Sequence, residues 1–324
     1  GDKHLNRAET RDVLDRLVPD PQGYGIERAD LVIEAAPEQL ELKRRIFADL
    51  GVRMKPNAIL ASNTSSLPLT ELADQVTRPD HFAGLHFFNP VSRLELVEVV
   101  AHAGTAKPVM DRLAAFCGAI DRLPVRLRDY PGFLVNRALT PYLMEAMVLM
   151  DEGIAKDAID RAAIDFGMPM GPVALADQVG LDICLHVSES LKAHLDKPMP
   201  DISKALREKV EAGETGKKAG RGFYDWSEGT PHPDPRAEGP DGLADRLILP
   251  MLDACVECLR KDVVGDPDEV DAALVFATGF APFRGGPMHY ARSRGFSEVA
   301  SKLSELAERH GPRFTPDAGW SGFG

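Results

Sequence analysis

Read for its apolar positions alone, the chain changes character at Tyr130. Before that point, short apolar runs alternate with stretches of helical spacing. Asp30 to Ala36 (DLVIEAA) is a near-continuous apolar strand, the kind buried on both faces of a parallel sheet. Pro37 to Met54 follows at helical period, with Leu40, Leu42, Ile46, Phe47 and Leu50 on the apolar side. The same reading predicts strands at 58–61, 82–88, 94–100 and 124–128, and helices from Leu69 and over 106–120. Residues 1–20 predict a helix with a partial apolar face of Leu5, Val13, Leu14 and Leu17, closed by Pro19 and Pro21. Strands alternating with helices through short links imply an α/β fold built on a parallel, doubly wound sheet.

From Tyr130 onward only the helical period remains. Helices are predicted over 133–150 and 155–166, and again after the rigid link 167–172 through Val187. Residues 227–242, rich in Pro, Gly and charge, read as a linker. The helical pattern then repeats. Asn136-Arg137 with Pro141 matches Asp245-Arg246 with Pro250, and Ile159-Asp160 matches Val270-Asp271. Gly167 to Pro172 is echoed by Gly279 to Pro287. A repeat of this length is a duplicated helical domain, expected to pack face to face with its twin. The organisation is therefore a sheet domain at 1–129, a first helical domain at 130–226, the linker, and a second helical copy at 243–324.

Composition narrows the partners. The net charge of -12 leaves no basic surplus to neutralise phosphates, which argues against nucleic acid and anionic membrane surfaces. The most apolar window, Pro131 to Met150, is interrupted by Arg137, Pro141 and Glu145, so no membrane span is expected. Four cysteines are present, and Cys255 and Cys258 lie in one helical pattern without a second metal-binding pair. They read as helix residues with free thiols, no metal is expected, and a reducing, cytoplasmic setting follows. No signal peptide opens the chain, which begins at Gly1 and reads as a processed piece.

Candidate chemistry gathers at predicted strand ends. His86 closes an apolar strand, and Glu98 lies on the next one; a short reversal can bring them together. A carboxylate on one imidazole nitrogen fixes the tautomer and raises the basicity of the other, which suits proton abstraction from an alcohol. The plain alternatives are a satisfied core histidine and a strand-edge glutamate. Ser62 to Ser66 (SNTSS) ends another strand; one residue is expected to cap the following helix, and the others can hold a ribose or a carbonyl oxygen. Asn136 is unfavourable early in a helix, so its amide serves either a site or an interhelical hydrogen bond. Glu38 suits a helix first turn or a ribose hydroxyl, with Lys43 beside it. Lys217-Lys218 form a basic loop that is equally a solvated one.

Taken together, ADLVIEA with Glu38, ILASNTSSL, FAGLHFFNPV followed by Glu98, PGFLVNR, GMPMGPVALADQVGLD and GKKAGRGFY resemble the L-3-hydroxyacyl-CoA dehydrogenases of fatty-acid β-oxidation. The tail resembles the second helical copy of the large multifunctional α-subunits. The resemblance implies NAD as cofactor and oxidation of (S)-3-hydroxyacyl-CoA to 3-ketoacyl-CoA, with a thiolase subunit or a second copy of the chain as partner. It implies His86 as general base, Glu98 orienting it, and Ser65 and Asn136 holding the substrate. Glu38, Lys43 and Asn63 would face the nicotinamide side of NAD, and Asn89 would support the His86 loop. The family's Gly-rich G-x-G-x-x-G turn does not occur in this sequence, so the Rossmann-like sheet is expected to be incomplete. On that ground a second reading is a catalytically silent acyl-CoA-binding or assembly module.

Overall fold

The computed structural model describes residues 6–195 and 197–323. Helix α1 (Arg7–Leu14) starts at an Asn6 capping box and buries none of its residues. Leu14, Leu17 and Val18 stay exposed, so the apolar face expected over 1–20 packs on nothing among the described residues; Leu5 lies outside them. Strand β1 (Leu31–Glu34) leads through helix α2 (Leu40–Arg53) to strand β2 (Ile59–Ser62). Helix α3 (Leu69–Ala73) precedes strand β3 (Phe82–Phe87) and strand β4 (Leu96–Ala101), and helix α4 (Lys107–Ala119) connects to strand β5 (Leu123–Arg128).

The five strands lie in chain order across one sheet. The sheet is mostly parallel, and the short reversal expected between the strands of His86 and Glu98 makes one antiparallel pair. β1, β2 and β3 run parallel, β4 runs antiparallel to β3, and β5 is parallel to β4. The link from β3 to β4 carries no helix, so the chain can only turn back on itself, whereas parallel neighbours need a crossover. Two apolar layers cover the sheet: Phe47, Leu69, Leu72 and Phe82 on one face, and Val109, Leu113 and Cys117 of α4 on the other. Burying each such side chain contributes about 1.5–3 kcal/mol.

The helical part opens with α5 (Val135–Asp151) and α6 (Lys156–Phe166). The single helix expected through Val187 is two, α7 (Pro172–Val179) and α8 (Leu181–His194). Gly180, at φ +113°, takes a conformation that ends the first and re-aims the second. Helix α9 (Lys204–Glu211) follows, then a strap over 216–226. Buried Asp177 accepts the strap's Phe223 N (2.9 Å), Tyr224 N (2.8 Å) and Trp226 Nε1 (3.0 Å). Its carboxylate lies 2.0 Å from where a Cβ on Gly222 would be, which accounts for that glycine in the GKKAGRGFY motif.

The second copy comprises α10 (Leu243–Arg260), α11 (Pro267–Thr278), α12 (Pro287–Arg294) and α13 (Phe296–His310). Its kinship to the first is visible in one device. Asp160 accepts the N–H groups of Val173 (2.7 Å) and Ala174 (3.0 Å) at the start of α7. Asp271 accepts those of Met288 (2.6 Å) and His289 (3.0 Å) at the start of α12. Each aspartate satisfies orphan donors of a helix N-terminus. The copies pack with α5 beside α10, each helix carrying its interior proline, Pro141 and Pro250. Buried ion pairs cross this seam in both directions, Arg137 to Glu257 and Arg246 to Glu145.

Candidate active site

Strand register brings His86 and Glu98 together. They are directly opposite on the antiparallel pair β3–β4, so their side chains share one face. His86 Nδ1 and Glu98 Oε2 are 2.7 Å apart, and Glu98 is wholly buried. The strand-edge alternative for Glu98 is thereby excluded. Glu98 Oε1 accepts Leu134 N (3.1 Å) and Val135 N (2.9 Å), so the same carboxylate caps the N-terminus of α5. An acceptor that bonds imidazole Nδ1–H leaves Nε2 as the basic atom. The ring is flanked by Phe88 (centroids 4.5 Å apart) and Phe133 (5.9 Å).

The turn that offers those two N–H groups is conformationally unusual. Gly132 has φ +76° and Phe133 has φ +52°, a region that a bulky side chain adopts only when surroundings enforce it. Asn136 follows on α5, and its Nδ2 donates to the Ser65 carbonyl (3.1 Å). One amide thus links the helix to the SNTSS segment, and Ser65 and Asn136 fall side by side.

Glu38 organises that segment. Its Oε1 accepts Thr64 Oγ1 (2.6 Å), Ser65 N (2.9 Å), Ser66 N (3.1 Å) and Ser66 Oγ (3.2 Å). Burial pushes its carboxyl up, but the Thr64 hydroxyl, the Lys43 charge and the Ser65 N–H outweigh it, and the net pKa is lowered. Glu38 therefore stays ionised. Lys43 is 1% exposed, and its Nζ meets Glu34 Oε1 (2.8 Å) and Oε2 (3.0 Å), the Ala36 carbonyl (3.1 Å) and Glu38 Oε2 (3.2 Å). The ammonium has no donor left to offer outward, so it reaches any ligand through Glu38.

Of Asn63 and Asn89, it is Asn63 that touches the His86 strand. Asn63 Oδ1 accepts Phe87 N (2.9 Å) and so braces the end of the His86 strand, while Asn89 is exposed. His86 Nε2, Ser65 Oγ, Asn63 Nδ2 and Asn136 Oδ1 have no hydrogen-bond partner among the described residues. These donors and acceptors gather at strand carboxyl ends, where α/β sheets hold ligands.

Residues 1–130 match the family described as 3-hydroxyacyl-CoA dehydrogenase, NAD binding domain, and residues 132–226 match its C-terminal domain. The chain belongs to the 3-hydroxyacyl-CoA dehydrogenase family. The Vibrio vulnificus (strain CMCP6) fatty acid oxidation complex subunit alpha is 35% identical over 96% of this chain. The match takes in 46% of that subunit, so the chain spans about half the length of the curated relatives it matches. Among solved structures, 3-hydroxybutyryl-CoA dehydrogenase from Escherichia coli K12 superposes with TM-score 0.86 at 26% identity, over 98% of this chain and 86% of that one. (S)-3-hydroxybutyryl-CoA dehydrogenase PaaH1 from Ralstonia eutropha is 36% identical with TM-score 0.65, over 68% of this chain and 79% of that one. Family members are NAD-dependent oxidoreductases, as the first matched domain states.

Within this family fold, sequence reasoning missed several contributors. Glu34, an acid ending an apolar strand, was the signal for the ion pair that holds Lys43. Ser62 Oγ donates to the same carboxylate at 2.7 Å. Phe133 was visible only within PGFLVNR, as the first residue of the predicted 133–150 helix; the structure starts that helix at Val135. Asp245, at the position matching Asn136, is held by Arg294 (2.5 and 2.9 Å), so the second copy offers no equivalent amide. Lys218 pairs with Asp182 (2.6 Å), and Lys217 lies over Trp226 (5.3 Å from the ring centre). Cys255 and Cys258 are free and buried, and no cluster of three metal-ligating side chains occurs among the described residues. No helix there is long and apolar enough to cross a membrane.

Proposed function

We propose that this chain oxidises (S)-3-hydroxyacyl-CoA to 3-ketoacyl-CoA, with His86 as general base oriented by Glu98. The observation that carries the reading is the buried 2.7 Å contact between His86 Nδ1 and Glu98, with Nε2 left free. His86 Nε2 takes the proton of the C3 hydroxyl, and Glu98 stabilises the imidazolium that results. Ser65 Oγ and the Asn136 amide are suited to the substrate's 3-oxygen and thioester end. NAD, when bound, supplies the acceptor for the C3 hydride. Asn63 and Glu38 would hold its nicotinamide ribose, with Lys43 acting through Glu38 and Asn89 at the rim. The unpartnered Asn63 Nδ2 donor and the ionised Glu38 carboxylate fit such a polyhydroxylated ligand. Fatty-acid β-oxidation in the cytoplasm, beside a thiolase subunit or a second copy of the chain, is the setting this reading favours; the four free, buried thiols support a reducing compartment.

The test is acetoacetyl-CoA reduction followed by NADH absorbance. His86→Gln should lower kcat by about 10²–10⁴-fold, the range for a general acid or base. Unchanged turnover would remove His86 from the role. A parent chain that binds acyl-CoA and turns nothing over would favour the binding-module reading instead.

A further inference from the structure

The second helical copy has lost the Asn136 equivalent, yet its first helix grips the turn that builds the His86–Glu98 pair. Glu257 of α10 is buried, and its two carboxylate oxygens are used on that turn. Oε1 accepts the Tyr130 hydroxyl (2.7 Å), and Oε2 pairs with the Arg137 guanidinium. Cys258, the next residue, places its Sγ 3.8 Å from the Phe133 carbonyl. At the end of the same helix the Val263 carbonyl accepts Arg128 N (2.9 Å), which fixes the exit of β5. Tyr130 and Arg137 bracket Gly132 and Phe133, the two residues at positive φ. Between the same brackets lie Leu134 and Val135, whose N–H groups hold Glu98.

We propose that Glu257 is a positioning residue for the dehydrogenase site: by tying Tyr130 and Arg137 to α10, it sets the turn whose N–H groups aim Glu98 at His86. This rests on His86 being the base. The reasoning is geometric. A Phe at φ +52° does not hold that conformation unaided, so something must over-determine the turn. Local bonds contribute, Phe133 N to Tyr130 O (2.8 Å) and Arg137 N to Gly132 O (3.0 Å). Among the described residues, the side-chain hydrogen bonds and ion pairs made to residues 130, 133 and 137 come from Glu257 and Cys258, beside the packing of the Phe133 ring on His86. Burial, and then the Glu257 carboxylate, push the Tyr130 phenol up, so it remains a donor across the working pH range. Glu257 touches neither reacting atoms nor His86; it acts through the turn. The second copy would then contribute to chemistry without carrying a site of its own.

The experiment compares Glu257→Gln, Tyr130→Phe and Asp245→Asn, each in the whole chain. Asp245 pairs with Arg294 of α12, within the second copy, and serves as the control for general loosening of that copy. Two readouts are taken: the split between kcat and KM for acetoacetyl-CoA, and the ring ¹⁵N shifts of His86, assigned by their loss in His86→Gln. Glu257→Gln and Tyr130→Phe should each lower kcat about tenfold at nearly constant KM, the cost of a slightly misplaced catalytic group. Both should also move the His86 ring shifts, and Asp245→Asn should do neither. Should Glu257→Gln fail to fold, because it leaves the Arg137 charge buried, Tyr130→Phe decides alone, since it removes one hydroxyl and no charge. Folded variants with unmoved ring shifts and kcat within about twofold of the parent would overturn the proposal. The ring shifts need no turnover, so they judge Glu257 even if His86→Gln shows that another group is the base.

Discussion

The Lys43–Glu34 pair allows the cleanest separation of a structural role from a cofactor role. Their side chains are 1% and 2% exposed, and Lys43 spends all its donors on Glu34, Ala36 and Glu38. Lys43→Met removes the ammonium and leaves the Glu34 carboxylate buried with only Ser62 Oγ (2.7 Å) and Ala36 N (2.5 Å). Breaking a buried pair from one side costs about 3–5 kcal/mol, because the remaining charge is uncompensated. An exposed pair would cost about 0–1 kcal/mol. Replacing both partners, Glu34→Gln with Lys43→Met, removes the stranded charge and should recover most of the loss.

Fluorescence cannot read this, since Trp226 and Trp320 both lie in the helical part. Hydrogen exchange measured by mass spectrometry on peptides covering β1, β2 and the SNTSS segment can, because it reports the local free energy of opening. It also avoids assuming that sheet and helices unfold as one unit. Lys43→Met should lower the opening free energy of these peptides by about 3–5 kcal/mol, and the double variant by much less. A loss below about 1 kcal/mol, or a double variant as damaged as the single, would refute the reasoning. A Lys43→Met chain with unchanged exchange and a raised KM for NADH would return the lysine to direct contact with the cofactor.

Asp160, Gly222 and Gly118 allow three further tests. Asp160 is wholly buried; desolvation dominates and raises its pKa to about 6 despite the Val173 and Ala174 N–H groups. The folded chain thus binds this proton more tightly than the unfolded one, and the stability it confers is lost as pH rises from about 4 to about 6. The difference in unfolding free energy between the parent and Asp160→Asn, from urea titrations, should fall by about 3 kcal/mol across that window. Gly222→Ala would drive a Cβ into the Asp177 carboxylate, so thermal unfolding should show a loss of about 2 kcal/mol or more. Gly118→Ala, near the end of α4 with nothing within 4 Å, should gain about 0.5 kcal/mol.

What the sequence revealed and what it hid divide by range. The strands announced themselves because continuous apolar runs are local, and so did the polar residues closing them: Glu34, Ser62 and His86 all stand at strand ends. The repeat was readable because Asn136-Arg137 with Pro141 recurs at the same spacing as Asp245-Arg246 with Pro250, and Ile159-Asp160 recurs as Val270-Asp271. The direction of β4 was half legible, as the reversal that pairs His86 with Glu98 also breaks the parallel order. Lys43 was legible only through Glu34, the acid that ends β1. Its fate depends on Glu34 and Glu38 converging on one ammonium, and nothing in a helical first turn signals that. The resemblance implies that Asn89 supports the His86 loop; the brace on that strand from Asn63 Oδ1 to Phe87 N crosses between strands and has no local signal. Gly180 looked tolerable inside a helical pattern because its φ of +113° is set by how α8 must leave α7.

The two helical copies show what duplication preserves and what it releases. Both keep an aspartate that caps a helix start and a glycine beside it; a Cβ on Gly171 or Gly286 would lie 2.2 or 2.5 Å from its aspartate. That device is a packing solution, and losing it costs either copy its core. The amide position carries no such burden. Asn136 reaches Ser65 in the first copy, while Asp245 is absorbed by Arg294 in the second. The second copy therefore presents no amide at this position. Its charged residues instead cross to the first copy: Glu257 reaches Tyr130 and Arg137, and Arg246 reaches Glu145 and Glu152 (2.6 and 2.7 Å). Buried pairs of this kind add little net stability over apolar packing, because desolvation offsets most of the attraction. Fixing the geometry of one turn beside His86 and Glu98 gives Glu257 a reason to be there that stability alone does not.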